Sequence, residues 1–317
     1  MNELIELENM SFRRMILSSL IRPNKLLYRI FRPSPKMIRL GVHPSAWLGG
    51  KILSPFTSKI ERTNFGTIPG VTFIPKRNVK QNSLIVYLHG GGYCFGSSLT
   101  THRIGISNLA KITGRICHSV EYRLAPEFQH PAALDDAVAA WKHIVNENSD
   151  SQIILAGDSA GGGLSLALTM YLRDNNERLP DGLILFSPWT NLNCNFETYN
   201  TRAKADPMFL PIMPREAAKN YVPESMDNSN PYISPVFGDF SGLPSTLIIV
   251  GDQEILLDDS RIVGENAAKY GVDVDVRVWP KIFHDWWLFG PLLPESKKCL
   301  LEVKEWINNL DVCYERK

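Results

Sequence analysis

From residue 83 onward, short runs of Val, Ile and Leu alternate with longer stretches in which apolar positions recur every three or four residues. The short runs predict strands at Leu84–Leu88, Ile116–Val120, Gln152–Ala156, Leu183–Ser187, Thr246–Val250 and Val274–Val278, with Thr72–Pro75 an antiparallel edge. The longer stretches predict helices over 131–148, 160–175, 258–270 and 295–309. Strand and helix in alternation make β-α-β units on a mostly parallel sheet, so the expected body is α/β and doubly wound, with helices on both faces. Two regions break the rhythm, 1–55 and about 190–225, where polar residues and prolines separate regular elements. Ligands of a doubly wound sheet sit beyond the carboxyl ends of its strands, and insertions leaving those ends can roof them. The expected division is therefore an N-terminal lid segment, 1–55, and a main domain, 56–317, carrying a lid insertion at 190–225.

Composition narrows the classes of function. Thirty-four Lys and Arg balance thirty-three Asp and Glu, leaving a net charge of +1 and no general electrostatic hold on nucleic acid. With 44% hydrophobic and 21% charged residues the chain has ordinary globular composition. Cys94, Cys117, Cys194, Cys299 and Cys313 form no C-x-x-C pair and are odd in number, which suits a reducing cytoplasm. No apolar run reaches membrane-spanning length, and the start of the chain, with Glu3, Glu6 and Glu8, does not read as a secretory leader. One asymmetry survives the neutral total. Residues 11–40 carry eight Lys and Arg and no acid, interleaved with Leu17, Leu20, Leu26, Ile30 and other apolar side chains. Such a segment suits either weak contact with a membrane surface or a pair of amphipathic lid helices packed on the body. Pro23, Pro33 and Pro35 cut it into short pieces, which favours the second.

The densest chemistry follows the strand ending at Ala156. Gly157-Asp158-Ser159-Ala160-Gly161 is G-x-S-x-G between a strand and a helix, the setting of a serine held on a sharp, strained turn. Reading Gly157, Gly161 and Gly163 instead as a nicotinamide-binding turn fails on position and partners. The motif is not after the first strand, and none of the ten tyrosines has a lysine four residues on. Upstream, His89-Gly90-Gly91-Gly92 follows a strand directly and leaves bare backbone N–H groups. Gly91 and Gly92, with Ala160 after the serine, are candidate donors to an oxyanion. A serine nucleophile needs a base, and in the fold that carries this turn the chain order is serine, acid, histidine. Of seven histidines only His284 follows Ser159. The acid belongs after the strand Thr246–Val250, where Asp252 and Glu254 compete, while Asp258 and Asp259 read as the first turn of a helix.

Together these motifs resemble the hormone-sensitive-lipase family of α/β-hydrolases, in which HGGG precedes GDSAG by about seventy residues, as His89 precedes Ser159 here. The resemblance extends to Glu121-Tyr122-Arg123-Leu124-Ala125-Pro126 and to the stretch from Ser187-Pro188-Trp189-Thr190 through Ala205-Asp206-Pro207-Met208, and covers about residues 75–310. It implies an α/β-hydrolase fold with a helical lid and an esterase that works through an acyl-enzyme on short-chain acyl esters. It also implies an acid thirty residues before the histidine, which points to Glu254 and leaves Asp252 as the alternative. The string around Glu254 is similar to that of small-ester and lactone hydrolases, so a cyclic ester is an alternative substrate. A ligand-binding protein on the same scaffold is a third reading, although the relatives that bind without catalysis lack the histidine. No metal or organic cofactor is implied. A small-molecule ester or lactone is the expected partner, and the family allows a homodimer.

Overall fold

The computed structural model describes residues 11–54 and 57–314. The expected boundary between 55 and 56 and the acidic start at Glu3, Glu6 and Glu8 lie outside the described residues.

Eight strands form one sheet: β1 (Ser58–Phe65), β2 (Ile68–Pro75), β3 (Ser83–Leu88), β4 (Ile116–Val120), β5 (Gln152–Asp158), β6 (Gly182–Phe186), β7 (Thr246–Gly251) and β8 (Val274–Trp279), in the order β1-β2-β4-β3-β5-β6-β7-β8. The β1–β2 and β2–β4 pairs are antiparallel and all others parallel. Around the sheet run α1 (Phe12–Ile21), α2 (Pro23–Phe31), α3 (Pro35–Leu53), α4 (Arg103–Thr113), α5 (Ala132–Glu147), α6 (Ser159–Asp174), α7 (Thr198–Thr201), α8 (Ile212–Tyr221), α9 (Leu257–Lys269) and α10 (Pro294–Tyr314).

Strand alternation distributes the core over two faces. Leu84, Val86 and Leu88 of β3 pack with apolar residues of α5, α6 and α9, whereas Ile85 and Tyr87 face α4 and α10. Every residue of β5 is buried, as expected of a central strand covered on both sides. The chain runs outward from β3 to β4 and then returns to the other side of β3 as β5. That reversal puts a crevice at the carboxyl ends of β3 and β5, the place where open α/β sheets bind ligands. Leu88 and Gly157 are register partners there, so HGGG and GDSAG leave the sheet side by side.

The predicted strands and four helices all occur, with ends shifted by a few residues, but Thr72–Pro75, expected at the edge, belongs to β2, which pairs on both sides because β1 lies outside it. Sequence patterning missed β1 and α4. β1 is an edge strand whose exposed side carries Lys59, Arg62 and Asn64, so its apolar signal is thin.

The N-terminal segment is three helices where a pair was expected. Pro23 and Pro35 stand at first helical positions, where a missing N–H costs nothing, and so start α2 and α3. Ser34 caps α3, its Oγ accepting from Met37 N. Cationic side chains tie these helices to the body. Arg14 donates to Lys281 O, Lys25 Nζ to Ala203 O and Asp206 O at 2.7 Å each, and Arg22 Nη1 to Lys204 O at 3.0 Å. Arg39 donates from Nε to Cys94 O at 2.7 Å and from Nη2 to Ala125 O at 2.6 Å and to the Glu127 carboxylate at 2.9 Å. These cations turn toward the body, while Arg13, Arg29, Arg32 and Lys36 stay exposed beside apolar side chains that turn outward. Fourteen of the twenty large apolar residues exposed among the described residues lie between Phe12 and Ile52.

Candidate active site

Ser159 opens α6 with φ +51, a left-handed conformation that costs a non-glycine residue roughly 1 kcal/mol or more. Close packing enforces it. A Cβ at Gly161 would stand 2.1 Å from Leu88 O and 2.5 Å from His89 O, so only glycine lets α6 start against the end of β3. The serine is 7% exposed at the floor of the crevice.

Gly91 and Gly92 cross the same crevice with φ +118 and +59. The Gly91 carbonyl accepts from Cys94 N and Phe95 N at 3.0 Å each, which folds the loop back on itself. The N–H groups of Gly91 and Gly92 meet no acceptor among the described residues. Ala160 stands in the first turn of α6, where backbone N–H groups lack intrahelical acceptors. Gly90 is different: its N–H donates to Asp158 Oδ1 at 2.9 Å and is not free.

β7 and β8 deliver the histidine and the acid. His284 Nδ1 lies 2.7 Å from Glu254 Oε2, and both residues are buried. The other Glu254 oxygen accepts from Gly251 N at 2.6 Å and from Ser187 Oγ, beyond β6, at 2.8 Å. Asp252 is half-buried and accepts from Lys281 N at 2.6 Å; it makes no hydrogen bond to His284. Of the two acids the sequence left in competition, Glu254 is the one brought to the imidazole. The 190–225 stretch closes this corner. Asp206 accepts from Met208 N, Phe209 N and Ile255 N, and the Phe209 ring stands edge-on to His284 with centroids 4.8 Å apart.

The second imidazole nitrogen does not meet the serine. Nε2 lies 2.9 Å from Asp285 Oδ2, and no hydrogen bond joins His284 to Ser159 among the described residues. Asp285 is buried, with φ +51, and the nearby Asp158 carboxylate works against charge on it. Asp158 in turn accepts from Tyr87 Oη and pairs with His102 Nε2 at 3.0 Å. Burial works against charge on Asp158, but His102 and the Tyr87 hydroxyl hold its carboxyl down at about 2. Burial likewise opposes charge on His284, yet Asp285 and Glu254 outweigh it and hold the imidazole well above its ordinary value.

Residues 85–288 match the model of a family described as having the α/β hydrolase fold. An acetyl-hydrolase of Streptomyces hygroscopicus is 37% identical over 217 residues, 68% of this chain and 72% of the relative. An esterase of Acinetobacter venetianus is 34% identical over 238 residues, 75% and 78% of the two chains. The crystal structure of an esterase from the bacterial hormone-sensitive lipase family superposes with a TM-score of 0.86 at 31% identity, covering 95% of this chain and 99% of that one. The chain belongs to the hormone-sensitive-lipase family of α/β-hydrolases. Like its relatives in that family, it is a carboxylic-ester hydrolase, an enzyme class that typically works through a serine-bound acyl intermediate.

Three polar residues of this hydrolase's site escaped the sequence reading: Ser187, Asp206 and Asp285. Ser187 and Asp206 lie in strings that carried the resemblance, Ser187-Pro188-Trp189-Thr190 and Ala205-Asp206-Pro207-Met208, so their place was signalled and their partners were not. For Asp285, adjacent to a histidine on a loop, nothing in spacing or period marks a role.

Proposed function

We propose that Ser159 is the nucleophile, His284 its general base and Glu254 the acid that orients the imidazole, with the N–H groups of Gly91, Gly92 and Ala160 binding the oxyanion. His284 Nε2 takes the Ser159 proton as Oγ attacks the ester carbonyl, and the negative charge that develops on the carbonyl oxygen falls to the three N–H groups. The same imidazole returns the proton to the departing alcohol. Water, activated by His284, then releases the carboxylic acid and restores Ser159. The buried Glu254–His284 hydrogen bond carries this reading, because it engages Nδ1 and leaves Nε2 as the nitrogen that takes the serine proton. A fluorophosphonate tests it: the wild type becomes covalently labelled at pH 9 and Ser159→Ala does not. An unlabelled wild type would favour a ligand-binding protein on the hydrolase scaffold.

The substrate class in this reading is a short-chain acyl ester. The likeness to the Streptomyces acetyl-hydrolase supports it. Turnover of acetate, butyrate and octanoate esters, with chromatography of ring-opened lactones alongside, separates this from a cyclic-ester preference. In this reading 1–55 and the 190–225 insertion form a lid over a main domain, 56–317; the ties from Arg14, Lys25 and Arg39 to loops around the site support that division. The buried free thiols Cys94, Cys117, Cys194 and Cys299 suit a reducing cytoplasm.

A second reading concerns the outward face of α1–α3, which we assign to an anionic lipid surface. Its support is the apolar exposure together with charge: residues 11–54 contain no acidic side chain, so a bilayer attracts this face and a second copy of it repels. No helix among the described residues is long and apolar enough to cross a membrane, so the contact is peripheral. Phosphatidylglycerol vesicles should sediment the wild type and leave Leu26→Glu/Ile30→Glu in solution, with neutral phosphatidylcholine vesicles binding neither. A homodimer through this face would instead double the mass in sedimentation and leave the vesicles unbound.

A further inference from the structure

His284 stands between two carboxyl groups, and only one of them belongs to the proposed triad. Glu254 Oε2 lies 2.7 Å from Nδ1, and Asp285 Oδ2 lies 2.9 Å from Nε2, the nitrogen that must accept the serine proton. We propose that Asp285 is a positioning residue that holds a proton on Nε2 of His284 in the resting enzyme and thereby sets the pH above which the imidazole can act as base. This rests on the reading of Ser159, His284 and Glu254 given above.

The contact is built into the backbone. Asp285 adopts φ +51, a conformation that asparagine and aspartate tolerate better than other side chains, and at that angle its short side chain folds back on the imidazole. It has no alternative solvent partner, being 6% exposed. Oδ1 of Asp285 finds no donor among the described residues. The neighbouring Asp158 is already engaged by Tyr87, Gly90 and His102. A second buried carboxylate nearby makes a proton harder to lose. Burial and the nearby Asp158 and Glu254 carboxylates raise Asp285, against the pull of His284.

The groups that face this pair are few. Glu254 lies on the Nδ1 side. Asp206, from the 190–225 insertion, adds negative charge near the imidazole and Phe209 adds none. On the Asp285 side stand Asp158 with its partners His102 and Tyr87. The set is rich in carboxylates and therefore favours a proton on the His284–Asp285 pair. That proton, whichever atom carries it, blocks the Nε2 lone pair. It must leave to solvent, or the ring must turn from Asp285 toward Ser159, before the hydroxyl can be deprotonated.

The chemistry predicts an acid limb of kcat/KM well to the alkaline side of an ordinary imidazole in the wild type. Asp285→Asn keeps the size and the left-handed preference and removes the charge; Asp285→Gly keeps the backbone and removes the whole group. The ratio of kcat/KM at pH 6 to that at pH 9, measured on a phenyl ester of a short acid, should rise at least about tenfold in both variants, as the limb moves down by about one pH unit or more. A limb that stays at the wild-type pH, whatever happens to kcat, overturns the proposal and leaves Asp285 a merely structural residue. Loss of activity at every pH in both folded variants overturns it as well. Fluorophosphonate labelling of the wild type at pH 9 is run beside these assays, and its absence would sink the Ser159–His284 reading itself, a different failure from an unmoved limb.

Discussion

Ser187 Oγ donates to Glu254 Oε1 at 2.8 Å, so the carboxylate that meets His284 through one oxygen is anchored through the other. Gly251 N makes a second bond to that anchored oxygen at 2.6 Å, and the three elements ending at β6, β7 and β8 are thereby tied at one carboxylate. A hydrogen bond to a charged, buried group contributes about 1.5–3 kcal/mol.

Ser187→Ala removes one of the two anchors and leaves the other. The carboxylate then gains freedom to turn from the imidazole, and kcat should fall roughly tenfold with KM little changed, since no substrate group touches Ser187 in the proposed site. Steady-state kinetics on an acetate ester measure this, and a KM effect without a kcat effect would place Ser187 in substrate binding instead.

Glu254→Gln keeps shape and hydrogen-bonding capacity but stabilises neither the imidazolium nor its tautomer. A loss in kcat of about 10² to 10⁴ is expected, by comparison with the corresponding change in serine proteases. Asp252→Asn, tested beside it, should cost less than about threefold in kcat, because its carboxylate holds Lys281 N and not the imidazole. Equal losses, or a larger loss at 252, would return the role to Asp252.

How far the sequence carried the site depended on whether a residue's work was local. The α/β body was legible because β3, β5, β6 and β7 are nearly continuous apolar runs, buried in the centre of the sheet, and such strands announce themselves without partners. Ser159 and Gly91–Gly92 were legible for a related reason: left-handed turns need glycine nearby, and glycine spacing is visible in a string. The acid was different. Asp252 and Glu254 lie two residues apart on a loop, and only the fold of that loop decides which faces His284. Asp285 is further still from legibility, since its contact with Nε2 depends on a single positive φ after the histidine. The basic stretch at 11–40 was legible in kind and not in detail. It was read as a pair of amphipathic helices packed on the body, and it is three helices whose Arg14, Arg22, Lys25 and Arg39 reach carbonyl oxygens that only the tertiary fold supplies.

Arg39→Ala tests whether α3 holds the site's roof. The guanidinium bonds Cys94 O, two residues past Gly92, and Ala125 O, whose own N–H donates to Tyr93 O, and reaches Glu127 at the surface. Losing these bonds should loosen the loop, raise KM a few-fold and lower Tm by about 1–2 °C, as about 1 kcal/mol does for a chain of this size. Calorimetry and kinetics check both, and a Tm unchanged to within error would mean that the helix is held by its other ties.

Acid should weaken the fold through His118. Its ring lies on β4, with Nδ1 3.0 Å from Thr72 Oγ1 and Phe65 edge-on at 5.2 Å between centroids, and burial lowers it to about 4. In the unfolded chain the same ring takes up a proton near 6.5. Above that pH neither state is charged and the residue makes no difference. As pH falls below 6.5 the unfolded chain binds a proton that the folded one refuses, so stability drops until the folded ring also titrates near 4. The full difference is roughly 3 kcal/mol for this residue. His130, also lowered to about 4 by burial, adds a loss in the same window and with the same sign. His118→Gln keeps a partner for Thr72 and cannot titrate, so urea unfolding between pH 7 and 4.5 should fall less steeply in the variant than in the wild type. Parallel curves would show that His118 is protonated in the fold and that the acid sensitivity has its origin elsewhere.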